Sequence, residues 1–117
     1  MRGISETVLA LSRSVTASGD GGAVNVGEYA GIAHLVLNAS ATDAGTATIK
    51  LQHSDDGTTG WEDVTGAAFA PVGTSPSTQS LSLNADKLRK FARVVDTLTG
   101  ATAVVRGVML VGQKQSR

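Results

Sequence analysis

Ala47-Thr-Ile-Lys-Leu-Gln-His-Ser54 runs into Asp55-Asp-Gly-Thr-Thr-Gly60 and then into Trp61-Glu-Asp-Val64. In the first segment Ala47, Ile49, Leu51 and His53 alternate with Thr48, Lys50 and Gln52. That period of two is the mark of a strand with one face buried. The Asp, Gly and Thr cluster reverses the chain, because these residues tolerate unusual backbone angles or bond the backbone locally. Trp61–Val64 returns as a second strand, so the whole reads as a hairpin. Leu83–Leu98 completes the pattern. Asn84 caps one short helical turn over residues 85–90, with Asp86 favourable near its start, and the turn feeds the alternating strand Phe91–Leu98.

Working outward, the same alternation recurs in Thr7–Thr16, Ala23–Tyr29, Ile32–Ala41 and Thr78–Leu83, while Ala67–Val72 is an apolar run and Thr102–Val111 a further strand. Turn clusters separate these segments, notably Ser18-Gly-Asp-Gly-Gly22, Thr42-Asp-Ala-Gly45 and Gly73–Ser77. Pro71 keeps Ala67–Val72 from being a central strand. Val104 beside Val105 and Met109 beside Leu110 suggest that the last strand is buried on both faces. About eight short strands at regular spacing predict an all-β fold, an antiparallel β-sandwich of jelly-roll-like type, with one short helical turn near 85–90. At 117 residues the chain reads as a single domain, 1–117, with residues 1–6 and 113–117 expected to be flexible.

Composition narrows the function. The ten basic and ten acidic residues cancel, which gives the chain as a whole no electrostatic reason to seek nucleic acid or an anionic membrane. The absence of Cys excludes a disulfide framework, thiolate metal sites and thiol catalysis. No apolar run is long enough to span a bilayer and no targeting segment is recognisable. One Trp, one Tyr and two Phe make a light core for a small β domain, which favours self-association or docking on a larger surface. Charge is unevenly placed: Lys87–Arg117 holds seven basic residues and one acid, Asp96, whereas Met1–Asp86 holds three basic residues and nine acids. Such ends could dock head to tail or present a basic face to an acidic partner, unless the fold mixes them.

Reactive constellations are weak. His53 with Asp55, Asp56, Glu62 and Asp63 has the residue types of a metal or acid–base cluster, but a strand-end histidine beside a solvated acidic turn is the plainer reading. The Asp-Asp-Gly loop lacks the alternate acids and closing Glu of a calcium loop. Gly19-Asp-Gly-Gly22 matches no phosphate-binding pattern, and Ser75 sits in no nucleophile elbow. Asn38-Ala39-Ser40, a formal glycosylation sequon, lies inside a strand. The run Lys87, Arg89, Lys90 and Arg93 has only Phe91 interleaved, too few stacking rings for single-strand nucleic acid. Trp61 could stack on a sugar, but a Trp after a hairpin loop is more often core or interface. No catalytic, cofactor or metal residues are assigned, and enzymatic activity is not expected.

Three stretches together resemble small virion proteins of tailed bacteriophages. They are Ile49-Lys-Leu-Gln-His-Ser-Asp-Asp-Gly57 with Trp61-Glu-Asp-Val64 and Ala67-Ala-Phe69, then Leu83–Leu98, then Val108-Met-Leu-Val-Gly112. The resemblance covers residues 32–113. It implies a non-enzymatic building block, in particular a head decoration or cement protein that clamps the major capsid protein lattice from outside and acts as a dimer or trimer. A protein of that kind is made in the host cytoplasm and ends on the capsid surface of the virion. A tail, neck or head-fibre component and a carbohydrate-binding sandwich on the particle surface are the alternatives. The partner interface is expected in two regions: exposed apolar material at Trp61, Phe69 and Pro71, and the basic segment Lys87, Arg89, Lys90 and Arg93 facing an acidic shell.

Overall fold

The computed structural model describes residues 4–114. Nine strands follow one another: β1 (Ile4–Val15), β2 (Gly19–Asp20), β3 (Val24–Asn25), β4 (Tyr29–Ala39), β5 (Thr46–Ser54), β6 (Glu62–Ala68), β7 (Ser77–Asn84), β8 (Phe91–Thr99) and β9 (Val104–Lys114). A 3-10 turn, Ala85–Lys87, stands between β7 and β8. One sheet has the order β1–β9–β4–β7, the other β2–β8–β5–β6, with β3 also paired to β8. All strand pairings are antiparallel.

β2 and β3 act as one interrupted strand along β8. Gly21 N–H bonds Val94 C=O at 2.7 Å between them, and Val26 N–H bonds Lys90 C=O at 2.8 Å beyond. Counted so, eight strands form two four-stranded layers in the order of a jelly roll. The glycine cluster expected to be a pure turn therefore contributes a paired segment, and the strand expected over Ala23–Tyr29 is broken. Ile4–Glu6 and Gln113–Lys114, placed by the sequence among the flexible ends, lie in the strands β1 and β9, with Ile4–Glu6 paired to Gln113, Gly112 and Val111. Residues 1–3 and 115–117 are outside the described residues.

The core fills the space between the sheets from alternate positions on both. Ala33, Leu35 and Leu37 of β4 and Ala47, Ile49 and Leu51 of β5 are all buried, as their period of two requires. β9 also alternates: Val104, Arg106, Val108 and Leu110 point inward, and Val105 is 42% exposed. The double-sided burial expected of β9 fails because only one of its faces meets the other sheet. Tyr29 and Phe69 are the aromatic members of the core, and the Tyr29 hydroxyl is 2.7 Å from Thr7 Oγ1 of β1.

Turn chemistry fixes the crossings between sheets. Gly45, between β4 and β5, has φ +64°, and a Cβ there would sit 2.2 Å from Thr99 C=O, so only glycine fits. The neighbouring Asp43 carboxylate accepts N–H bonds from Thr102 at 2.9 Å and Ala103 at 3.2 Å, tying this crossing to the β8–β9 turn. The Thr102 hydroxyl and amide and the Ala103 amide hold the Asp43 carboxyl down at about 2. Asn84 caps the 3-10 turn as anticipated, accepting from Asp86 N–H at 3.0 Å. The turn ends at Lys87, short of the expected residue 90, because Leu88 is already extended.

Candidate functional site: two outer faces of the sandwich

The hairpin and the basic segment meet on the outer face of the five-stranded sheet. Register sets Gln52 opposite both Arg93 and Asp63. Arg93 donates from Nε and Nη2 to Gln52 Oε1 at 3.0 and 2.8 Å, and its Nη1 lies 3.3 Å from Asp20. Gln52 Nε2 donates to Asp63 Oδ1 at 2.9 Å, and Lys50 Nζ donates to Asp63 Oδ2 at 3.1 Å. A polar ladder thus crosses β2, β8, β5 and β6. The Arg93 guanidinium also stacks over Trp61, 4.3 Å from the ring centroid. The bonds from Gln52 and then Lys50 hold the Asp63 carboxyl below its ordinary value.

Beside this ladder Arg89 pairs with Glu62 and its backbone N–H donates to His53 Nδ1 at 3.3 Å. Burial first, and the Arg89 charge second, push the His53 pKa down, so the ring favours its neutral form. The loop carboxylate of Asp56 accepts from Thr58 N–H at 2.9 Å and Thr59 N–H at 2.8 Å, which lowers its pKa strongly. Gly57 (φ +78°) lets this loop turn beneath the Phe91 ring, 3.1 Å from where a Cβ would stand. Asp56, Glu62 and Asp63 therefore serve three different partner sets, and among the described residues no three His, Cys, Asp or Glu side chains converge to hold a metal ion. A groove of about 360 Å³ opens between β6 and β7, lined by His53, Asp63, Ser82, Asn84 and Lys87 among others.

The members of the first expected contact region, Trp61, Phe69 and Pro71, are not brought together. Trp61 precedes β6 and stands by Arg93, whereas Phe69 and Pro71 follow β6 at its far end. Phe69 is 5% exposed and its N–H bonds Ile49 C=O at 3.0 Å, so it is core and not surface. Pro71 is exposed. Of the four basic residues, Arg89 and Arg93 are committed to internal acids, while Lys87 and Lys90 are exposed and form no ion pair among the described residues. Folding pairs two bases of the late segment with acids of the early part of the chain, Arg89 with Glu62 and Arg93 with Asp20.

A buried ion pair went unread in the sequence. Asp96 of β8 and Arg106 of β9 are 5% and 3% exposed. Arg106 Nε and Nη2 reach the two Asp96 oxygens at 2.8 and 2.6 Å, a bidentate bridge between the sheets. The signal was available: Ala92, Val94 and Asp96 share one parity, as do Val104, Arg106, Val108 and Leu110, so each strand places one charge at a core position.

The outer face of the four-stranded sheet is the opposite in kind. Register aligns Val8, Met109, Val36 and Ser80 in one row across β1, β9, β4 and β7. On one side of it runs the row Glu6, Val111, His34 and Ser82, and on the other lie Gly107, Asn38 and Thr78. Val8 is 49%, Ile32 65% and Val105 42% exposed. Among the described residues Glu6 is the one carboxylate on this face, and no Lys or Arg shares it.

No family model matches the chain, and no curated protein matches it. In shape it is similar to a protein of the disulfide-linked pili that Bacillus endospore appendages form, with TM-score 0.61 and 20% identity over 99% of this chain and 92% of that one. It is also similar to the SPBc2 prophage-derived protein YomS, with TM-score 0.51 and 15% identity over 94% of this chain and 95% of that one. These likenesses show the fold: an all-β sandwich. Among the described residues no helix is long and apolar enough to cross a membrane.

Proposed function

We propose that this protein is a non-enzymatic structural component of a tailed-phage particle, bound on the outside of the assembled capsid lattice as a decoration or cement protein. The observation that carries the reading is the outer face of the four-stranded sheet, where Val8, Met109 and Val36 lie side by side with little charge around them. Val8 is exposed and Met109 and Val36 are half-buried beside it, apolar surface that a partner could cover. The sequence resemblance to virion proteins and the similarity of shape to a prophage-derived protein support the same direction. Binding the lattice but not its free subunits would stabilise the shell by mass action, and repetition over many copies would multiply modest contacts. Lys87 and Lys90 remain available to an acidic shell surface.

The test is co-sedimentation of purified protein with capsids that lack it. Saturable binding in proportion to capsid subunits, weakened by Met109→Asp and Val8→Asp in folded protein, is the expected result. No binding, or binding indifferent to both substitutions, rejects the reading. A second reading, a tail, neck or head-fibre component, is favoured by the likeness to a pilus protein. Disulfide linkage cannot carry over, since this chain has no Cys. Copies amounting to a single ring or fibre base per particle would select it.

A further inference from the structure

Four strand edges bound the two sheets, and three carry features that discourage pairing with another chain. β1 has two register breaks against β9 and carries Glu6 and Arg13. β6 has a break against β5, carries Glu62 and Asp63, and contains Gly66 at φ +81°. β2 and β3 are two residues each. Charges, bulges and shortness are the devices that blunt sheet edges. β7 has none of them. Ser77-Thr-Gln-Ser-Leu-Ser-Leu-Asn84 runs eight residues without charge, Gly or Pro. Its register with β4 is unbroken from Ile32↔Asn84 to Ala39↔Ser77, and among the described residues no second strand pairs with it. The edge is also held in place: Gln79 Oε1 accepts from Ala70 N–H at 2.9 Å and Nε2 donates to Ala70 C=O at 3.0 Å.

We infer that β7 is a self-association edge, pairing antiparallel with β7 of a second copy across a two-fold axis to join two four-stranded sheets into one. An open edge of this length leaves about four N–H and four C=O groups for a partner strand. A two-fold axis normal to the sheet gives antiparallel pairing automatically, and residues directly opposite must share a face. Thr78, Ser80, Ser82 and Asn84 face outward and Gln79, Leu81 and Leu83 inward. The axis then passes at Ser80 or at Leu81. In the first register Thr78 meets Ser82 on the outer face and Gln79 meets Leu81 on the inner. In the second Ser80 meets Ser82, and Leu81 meets its own counterpart. Neither register opposes like charges, and both place hydroxyls in favourable cross-strand pairs. A second copy is the fitting occupant because the same strand, matched in length and uncharged, is present on every molecule. Pairing would also double the weakly charged outer face. This inference concerns how copies meet, and it stands or falls separately from the assignment to a capsid.

Sedimentation equilibrium of the isolated protein over a concentration series tests it. A mass rising from 11.9 kDa to twice that value is expected. Ser80→Lys and Thr78→Lys, both at exposed outward positions, should each weaken association at least about tenfold while far-UV circular dichroism stays native. Thr97→Lys, exposed on the other sheet, should leave it unchanged. Because the chain has no Cys, Ser80→Cys or Leu81→Cys should give an oxidised covalent dimer in the register it occupies. A monomer at every concentration, association unaffected by both lysines, or no cross-link from either cysteine overturns the inference. Loss of capsid binding with dimerisation intact would count against the proposed function alone.

Discussion

The two outer faces of this sandwich are built from the same alternating strands and end up chemically opposite. On the five-stranded sheet, Asp20, Arg93, Gln52, Asp63 and Lys50 satisfy one another across four strands, and Arg93 lies over Trp61. On the four-stranded sheet the central row holds Val8, Met109, Val36 and Ser80, and the polar bonds beside it are few: Ser82 with His34 at 3.3 Å and Thr78 with Asn38 at 3.4 Å. A polar surface whose groups are already paired has little to offer a partner. An apolar surface gains by losing water, at about 25 cal/mol per Å² covered. The face that the sequence marks most loudly, with its Trp and its cluster of bases, is thus the self-contained one.

The largest effect is expected where the two sheets are bridged. Asp96→Ala removes the carboxylate from a buried guanidinium and should cost about 3–5 kcal/mol, read as a drop in the denaturant midpoint. Replacing Asp96 and Arg106 together by Leu and Met should restore most of that loss, since a buried pair mainly answers its own desolvation. If the single change is nearly neutral, the pair does not govern how the faces are held.

Next comes the weakly charged face. Met109→Lys should leave the unfolding midpoint almost unchanged and weaken capsid binding by about 2 kcal/mol, roughly thirtyfold. The matching change on the other face, Arg93→Ala, should cost about 1 kcal/mol of stability by chemical denaturation, alter Trp61 fluorescence and spare binding. An exchange of these two outcomes would reverse the assignment of the faces.

The smallest effect is with pH. Asp43, Asp56 and Asp63 have folded pKa values below the ordinary 3.8. A depressed carboxyl adds stability that is complete above its unfolded pKa and lost as pH falls through the folded one. Melting temperature should therefore decline on acidification below 3.8, with the Asp43 share gone by about 2. His53 works in the same direction at higher pH: its lowered pKa makes its contribution full above 6.5 and lost below. His53→Gln should flatten that upper part of the profile.

Strand β5, legible in the alternation of Ala47–Ser54, spans Thr46–Ser54 in the fold, and the inward set of β4 is as its alternation indicates. Both follow from local periodicity, which any half-buried strand must obey. The short β2 and β3 were misread because a two-residue pairing leaves no period to detect. Phe69 and the Val104–Val105 pair were misread for another reason: exposure depends on which side of the strand another sheet covers, and that lies far away in sequence. The candidate interface of Trp61, Phe69 and Pro71 came apart because β6 separates its members.

By itself the amino-acid order settled the layered all-β architecture, the turns at Thr42–Gly45 and Asp55–Gly60 and the lack of thiol chemistry, because alternation, glycine and composition act over a few residues. Which charges cancel, which face is left apolar and which edge is left open were decided only when distant strands became neighbours, since pairing partners such as Asp20 with Arg93 or Asp96 with Arg106 are set by register and sheet order.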